Sequence, residues 1–183
     1  MSLYFIRHGQ TVANSSHKFN GECDEELNDI GLNQALNAGK QFKDIKIDLV
    51  YCSPLIITRQ TLEGLNLPKN TPVIFEPRLV ERKAGKMNGL DITDELLFDV
   101  YLNINNKTKF DGLEPIDEVF SRVHSVLNEI KQKHSDKNVL IVAHGFISRA
   151  VYFYFNELPQ SGKLGDVMEA FLQNCEVKKY EFN

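Results

Sequence analysis

Two histidines in this sequence each follow an apolar run and each precede a glycine. The first run ends in Arg7-His8-Gly9 and the second in Ala143-His144-Gly145. An imidazole can act as a nucleophile or carry a proton near neutral pH. The guanidinium of Arg7 offers a rigid fork of donors that suits phosphate or carboxylate. These residue types therefore indicate a site for an anionic ligand.

The apolar residues before each histidine predict two buried strands. In open α/β sheets, ligands bind beyond the carboxyl ends of the strands, where the topology changes direction. If the two strands are neighbours, His8 and His144 meet at that edge, and Gly9 and Gly145 let the backbone approach a ligand. One histidine at a strand end is more often structural. Two matching strand ends, one with an adjacent arginine, favour function.

Strands alternate with helices along the chain, which predicts a mostly parallel sheet covered on both faces. The strands are expected at 3–7, 49–54, 72–77, 139–143 and 176–182, the last at an edge; the helices at about 32–42, 56–65, 91–103, 115–130 and 146–155. The helix after Pro115 has one apolar side, formed by Ile116, Val119, Phe120, Val123, Val126, Leu127 and Ile130. We predict one α/β domain over residues 1–183.

The composition is that of a globular protein, with 42% hydrophobic and 25% charged residues among 183. A net charge of -4 without a basic block disfavours a nucleic-acid binder. No stretch approaches the ~20 apolar residues of a membrane span, and three scattered cysteines do not suggest disulfides. We expect a cytoplasmic protein. The polar cluster around His17 and Cys23 lacks metal-ligand spacing, so no metal is expected. The oligomeric state cannot be read from the sequence.

With these residues identified, the chain resembles the histidine phosphatase superfamily, also called the phosphoglycerate mutase-like family. Arg7 to Thr11 is similar to its R-H-G-[EQ]-T signature, and segment 78–90 to its L-x-E-R-x-x-G-x-x-x-G segment. Further matches are Asn14, the set Gly21, Asp24, Leu27, Gly31, Gln34 and Ala35, then Ser53-Pro54-Leu55, Leu113-Glu114-Pro115, and Ala143-His144-Gly145. Their order along the whole chain makes the resemblance specific.

The resemblance implies a three-layer α/β/α fold and phosphoryl transfer through a covalent phosphohistidine. It implies that His8 is the nucleophile, that Arg7 and His144 hold the phosphoryl oxygens, and that Glu81 donates the proton. The candidate substrate-binding residues are Asn14, Asn20, Gly21, Arg59 and Gly145. No cofactor is implied, and the partner is a small phosphorylated substrate.

One position departs from the family pattern. Relatives usually read S-P-L-x-R, whereas this chain has Ile57 in the place of that arginine and Arg59 two residues later. Two residues are about 200° apart on a helix, so Arg59 reaches the same site only if its side chain wraps around. Lys18, Arg82 and Arg149 are the other bases that could compensate.

Three functions remain open at this point. The first is a phosphatase of small phosphomonoesters, the second a phosphoglycerate-mutase-type isomerase, and the third a catalytically weakened module that binds phosphorylated ligands. Residues 91–113, a candidate lid, carry five acids and two bases, Lys107 and Lys109. Because a mutase must hold a substrate with several negative charges, this balance favours hydrolysis.

Overall fold

A five-stranded sheet forms the centre of the computed structural model, which describes residues 1–103, 110–159 and 167–182. The strands are β1 (Ser2–Arg7), β2 (Leu49–Cys52), β3 (Val73–Phe75), β4 (Val139–Ala143) and β5 (Val177–Glu181). Their order is β3-β2-β4-β1-β5. Only the edge strand β5 runs antiparallel to its neighbour among the described strands. The prediction of a mostly parallel sheet with an edge strand at the end of the chain is confirmed.

The helices are α1 (Val12–Ser15), α2 (Asp29–Gly39), α3 (Ile56–Gly64), α4 (Ile116–Lys133) and α5 (Gly145–Phe155). Short 3-10 segments cover Lys40–Phe42, Pro77–Leu79, Gly85–Met87 and Met168–Ala170. Helix α2 begins earlier than predicted because Asn28 caps it, with Oδ1 accepting from Gly31 N at 2.8 Å. Within 91–103, predicted as a helix, only Glu95–Tyr101 is helical, as a π-helix. No described helix is both long and apolar enough to cross a membrane.

Alternate residues of β1 pack into two different cores. Leu3 and Phe5 join the apolar cluster formed with α4 and α5. Tyr4 and Ile6 join the cluster on the other face, formed with α2. Because successive side chains of a strand point to opposite faces, a sheet buried on both sides needs a layer of helices on each. The fold is therefore the three-layer α/β/α sandwich that the resemblance implied.

In helix α4, the apolar residues recognised from their spacing in the sequence are the ones that pack into the core. Each apolar residue predicted for its inner side is buried, from Ile116 to Ile130. Burying a side chain of this kind stabilises a fold by about 1.5–3 kcal/mol. The helix ends with Lys131 and Lys133 in its last turn, where cations interact favourably with the helix dipole. The amphipathic pattern was therefore sufficient to place this element.

The register of the sheet determines where the two histidines emerge. Arg7 of β1 pairs with Ala143 of β4, so the following residues leave the sheet at the same edge. The loop after β1 then passes against α2, where a Cβ on Gly9 would lie 2.6 Å from the carbonyl oxygen of Gly31. Glycine is required at position 9 for this contact between two backbones. The sequence analysis gave Gly9 a role toward a ligand, and the structure adds this contact with α2.

Candidate active site

His8 and His144 lie side by side at the carboxyl edge of the sheet. Their ring centroids are 5.3 Å apart and the rings are tilted by 58°. Both rings line one cavity together with Arg7 and Glu81. The structure therefore brings together the residues predicted to be catalytic, which lie up to 137 positions apart in the chain (144 − 7).

The His8 ring is held as a neutral imidazole. Its Nδ1 lies 2.7 Å from the carbonyl oxygen of Gly9, to which it can only donate. The proton therefore lies on Nδ1, and Nε2 keeps its lone pair. Burial, reinforced by the charge of Arg7, lowers the pKa of His8 to about 3. A histidine close to a cation thus keeps a ring lone pair at neutral pH.

His144 is fixed by a residue of the adjacent strand end. Its Nε2 lies 2.7 Å from Ser53 Oγ, and both residues are fully buried. Burial lowers the pKa of His144 well below its usual value, with smaller contributions from His8 and Arg7. The other nitrogen, Nδ1, is buried and has no hydrogen-bond partner in the described part of the chain. An anionic ligand would favour the protonated ring.

Arg7 supplies a half-buried positive charge at the same cavity as both rings. One terminal nitrogen donates to the carbonyl oxygen of Leu172 at 2.8 Å, while the buried Nε has no partner among residues 1–103, 110–159 and 167–182. A Cβ on Gly145 would lie 3.3 Å from this Nε. Glycine at position 145 thus leaves room for the guanidinium against the start of α5. Burial lowers the pKa of Arg7, and the nearby Glu81 opposes that shift.

Glu81 is a half-buried carboxyl group at the same cavity. One oxygen accepts from the backbone nitrogen of Arg82 at 2.9 Å and the other from that of Phe146 at 3.1 Å. Burial raises the pKa of Glu81, although these hydrogen bonds and the charge of Arg7 act in the opposite direction. A raised pKa favours the protonated form, which is the form that a proton donor needs.

The predicted substrate-binding asparagine Asn14 lines the cavity from α1. Its Oδ1 accepts from Thr11 N at 3.3 Å and from Asn174 Nδ2 at 3.2 Å. Asn174 also donates to the carbonyl oxygen of His8 at 3.0 Å. This short network connects Asn14 to the backbone of His8.

Asn20 and Gly21 also line the cavity. Asn20 Nδ2 donates to a carboxylate oxygen of Glu25. Gly21 N donates to Asn88 Oδ1 at 2.9 Å, and a Cβ at position 21 would lie 2.5 Å from the backbone nitrogen of Ala84. Glycine is therefore required at position 21 by its contact with the segment that carries Glu81.

A family model for the histidine phosphatase superfamily (branch 1) matches residues 3–183. The chain belongs to the histidine phosphatase superfamily. This membership confirms, at the level of the family, the prediction of a phosphoric monoester hydrolase of the histidine phosphatase type.

Several curated relatives carry phosphatase names. The chain is 28% identical over 158 residues to "Phosphoserine phosphatase 1" of Hydrogenobacter thermophilus, which covers 83% of this chain and 74% of the relative. It is 29% identical over 184 residues to "Uncharacterized phosphatase PhoE" of Bacillus subtilis, at 99% and 88% coverage. Among solved structures, Bacillus stearothermophilus YhfR superposes with a TM-score of 0.86 at 22% identity, covering 100% of this chain and 91% of that one. This last similarity supports the fold.

The departure from the superfamily pattern at position 57 has a clear structural outcome. Ile57 is buried and lines the cavity, so an apolar side chain stands at that wall. Arg59 lies outside the residues that line the cavity; its Nε donates to the carbonyl oxygen of Pro54 at 2.8 Å and its guanidinium lies 4.6 Å from the ring centre of Phe75. Our prediction of Arg59 as a substrate-binding residue was therefore wrong, because Arg59 lies about 200° around α3 from Ile57 and its side chain does not wrap back to the cavity.

The three bases that could compensate for Ile57, namely Lys18, Arg82 and Arg149, lie at different places relative to the cavity. Lys18 lines the cavity but binds Asp91 at 2.9 Å with 43% of its side chain exposed. Arg82 lies outside the cavity lining and donates to the carbonyl oxygen of Tyr101, whose ring centre is 4.7 Å away. Arg149 is buried and lines the cavity.

Sequence reasoning missed part of the site. Ser53, which contacts His144, was a motif residue without an assigned role, although it follows β2 as His144 follows β4, and this parallel was a usable signal. Several other cavity residues, among them Glu25 and Ile92, had no periodic pattern that could identify them. We give the name loop wall to five cavity residues from the segment after α1 and from residues 92–97: Lys18, Asn20, Glu25, Ile92 and Leu97.

Proposed function

We propose that this protein hydrolyses small phosphomonoesters through a phosphohistidine on His8. The observation that carries the proposal is the neutral His8 ring, with its free Nε2, beside His144 and Arg7 in one buried cavity. Phosphoryl transfer depends mainly on positioning and on stabilising charge on the phosphoryl oxygens. Buried donors that are already in place do both.

In the first step, the lone pair of His8 Nε2 attacks phosphorus and forms the P–N bond. The P–O bond to the alcohol breaks, and its electron pair remains on the alcohol oxygen. Glu81, protonated because burial raises its pKa, transfers its proton to that oxygen. Arg7 and His144 bind the phosphoryl oxygens while the negative charge shifts among them.

In the second step, a water molecule attacks the same phosphorus. Glu81, now a carboxylate, accepts a proton from that water. The P–N bond breaks, its electron pair returns to His8 Nε2, and phosphate is released. His8 and Glu81 are then back in their initial states.

The loop wall favours hydrolysis over isomerisation. A mutase must bind a second anionic group of its substrate while the phosphohistidine is shielded from water. The basic side chain of the described loop wall, Lys18, already binds Asp91, and Glu25 adds a negative charge. The two other bases considered in the sequence, Lys107 and Lys109, lie outside the described residues.

We also propose that residues 1–183 form one domain in the cytoplasm. Strand β5, near the end of the chain, pairs with β1 at its start, and the family model spans nearly the whole chain. Cys23, Cys52 and Cys175 are all free thiols, which is typical of proteins in a reducing compartment.

The test is to incubate wild type and His8→Ala with O-phosphoserine, 3-phosphoglycerate and p-nitrophenyl phosphate, measuring released phosphate and isomeric products. We expect phosphate release by wild type and its loss in His8→Ala. His134→Ala is the matched control, because His134 lies outside the cavity lining and contacts Tyr51. Wild type quenched at alkaline pH should carry a phosphoryl group on His8 that is lost on acid treatment.

The other outcomes contradict the proposal in different ways. Formation of an isomer that depends on a bisphosphate would identify a mutase. Binding of phosphorylated ligands without any product would identify a binding module. Phosphate release that survives in His8→Ala would exclude His8 as the nucleophile.

A further inference from the structure

The cavity contains a second guanidinium, that of Arg149 on α5. Arg149 is 8% exposed, and one of its terminal nitrogens donates to the carbonyl oxygen of Gly145 at 2.7 Å. Its guanidinium lies 3.7 Å from the ring centre of Phe171. Its Nε is buried and finds no hydrogen-bond partner in the part of the chain that the structure describes. The side chain is thus held at the cavity with unused donor capacity.

Two arginines at one cavity, Arg149 buried and Arg7 half-buried, need a negative charge. Burial, reinforced by the charge of Arg7, lowers the pKa of Arg149 to about 10, while Glu81 acts in the opposite direction. Glu81 is a poor counter-ion because burial also raises its own pKa. Uncompensated buried charge is costly, so an entering phosphate dianion would relieve the repulsion between the two guanidinium groups.

The other cations of the described chain do not offer the same contact. Arg82 and Arg59 lie outside the cavity lining. Arg122 is paired with Glu114 at 2.8 Å, and Lys18 is half-exposed and paired with Asp91. Arg149 therefore combines burial, a place in the cavity lining and an unpartnered nitrogen.

We propose that Arg149 binds the phosphoryl group as the second guanidinium of this site, in a cavity where position 57 carries an apolar side chain. This inference rests on the proposed function, since it assigns a ligand of the same cavity. It makes Arg149 a binding residue for phosphate and for the transition state, in place of an arginine on α3.

The first experiment compares Arg149→Met and Arg149→Lys with wild type. For Arg149→Met we expect kcat/KM for p-nitrophenyl phosphate to fall about 10²-fold, as when one preorganised donor is removed, and the inhibition constant of orthophosphate to rise. Arg149→Lys keeps the positive charge but not the forked donors of the guanidinium, so kcat/KM should fall less than in Arg149→Met. Arg78→Met is the control, because Arg78 lies on the surface with Glu76 and Glu129.

A rescue separates phosphate binding from a purely structural role. Ile57→Arg, introduced into Arg149→Met, should restore at least about tenfold of the lost kcat/KM, because it returns a guanidinium to the cavity lining. No rescue, or a loss in Arg59→Met as large as in Arg149→Met, would overturn the inference.

A measurement on wild type does not depend on whether a variant folds. The Nε–H resonance of Arg149, followed by ¹⁵N NMR, should shift as orthophosphate is added, with the same apparent affinity as in calorimetry. An unchanged resonance at saturating phosphate refutes the contact. If wild type binds phosphate and shifts this resonance but hydrolyses nothing, the proposed function fails while the role of Arg149 stands.

Discussion

The site has two parts whose residues are held in place by different kinds of contact. The residues at the strand ends, His8, Ser53 and His144, are at most 5% exposed and are held by sheet register and hydrogen bonds. The loop wall is partly exposed. Of its two charged residues, Lys18 pairs with the neighbouring Asp91, and Glu25 accepts a hydrogen bond from Asn20. A rigid sheet edge suits chemistry, which needs fixed geometry, whereas loops suit the selection of substrates. The following changes test this division.

The largest effect is expected for Glu81→Gln. An alkyl phosphate has a leaving oxygen that needs a proton, so its kcat should fall by about 10²–10⁴-fold. p-Nitrophenyl phosphate, whose leaving group is a weak base, should lose much less. Because burial raises the pKa of Glu81, wild type should lose activity as pH rises through that pKa, and the ratio of wild type to variant should fall with it.

Glu118→Gln is the control for this change, because Glu118 is exposed on α4 and lies outside the cavity. Linkage gives a second readout. A raised pKa in the folded state means that the free energy of unfolding decreases as pH rises from the ordinary glutamate range through the raised pKa. This decrease should be smaller in Glu81→Gln. Equal losses for both substrates would contradict the role of proton donor.

A smaller effect is expected for Ser53→Ala. The change removes the hydroxyl that contacts His144 Nε2 at 2.7 Å and leaves a buried ring nitrogen without a partner. We expect kcat/KM to fall about five- to tenfold, the equivalent of roughly 1–1.4 kcal/mol. The ¹⁵N shifts of the His144 ring should change, which reports a positioning role.

Ser121→Ala, on the exposed side of α4, should leave both kcat/KM and these ring shifts unchanged. If Ser53→Ala lowers only the free energy of unfolding, then Ser53 stabilises the fold without orienting His144. That result would place Ser53 outside the catalytic group of strand-end residues.

The smallest effect is expected for Glu25→Gln in the loop wall. Its carboxylate lines the cavity and accepts from Asn20, so it should attract a cationic group on the substrate. KM for O-phosphoserine, which carries an ammonium group, should rise by about two- to fivefold, as for a partly exposed ion pair. The kcat for p-nitrophenyl phosphate should not change.

Glu26→Gln is the matched control, since Glu26 is exposed and does not line the cavity. If Glu25→Gln reduced kcat for every substrate equally, the loop wall would take part in the chemistry. The division between the two parts of the cavity would then be wrong.

The sequence analysis was correct where structure depends on residues close together in the chain, and it was incomplete where structure depends on contacts between distant residues. The apolar side of α4 was predicted in full because helix periodicity is local. The π-helical form of Glu95–Tyr101 was not predicted, because tertiary packing rather than the local sequence pattern determines it. At the site, strand-end motifs identified His8 and His144, while Ser53 and Glu25 received no role because their positions depend on contacts between distant segments.

The sequence by itself determined the fold class and the residues that meet at the strand ends, since buried strands with matching ends leave a parallel sheet at one edge. The tertiary structure decided which arginine accompanies them. The sequence offered both Arg59 and Arg149 as candidate bases for the site, but of these two only Arg149 lines the cavity. The direction of a long side chain depends on the rotation and packing of its helix, and those are set by the whole core.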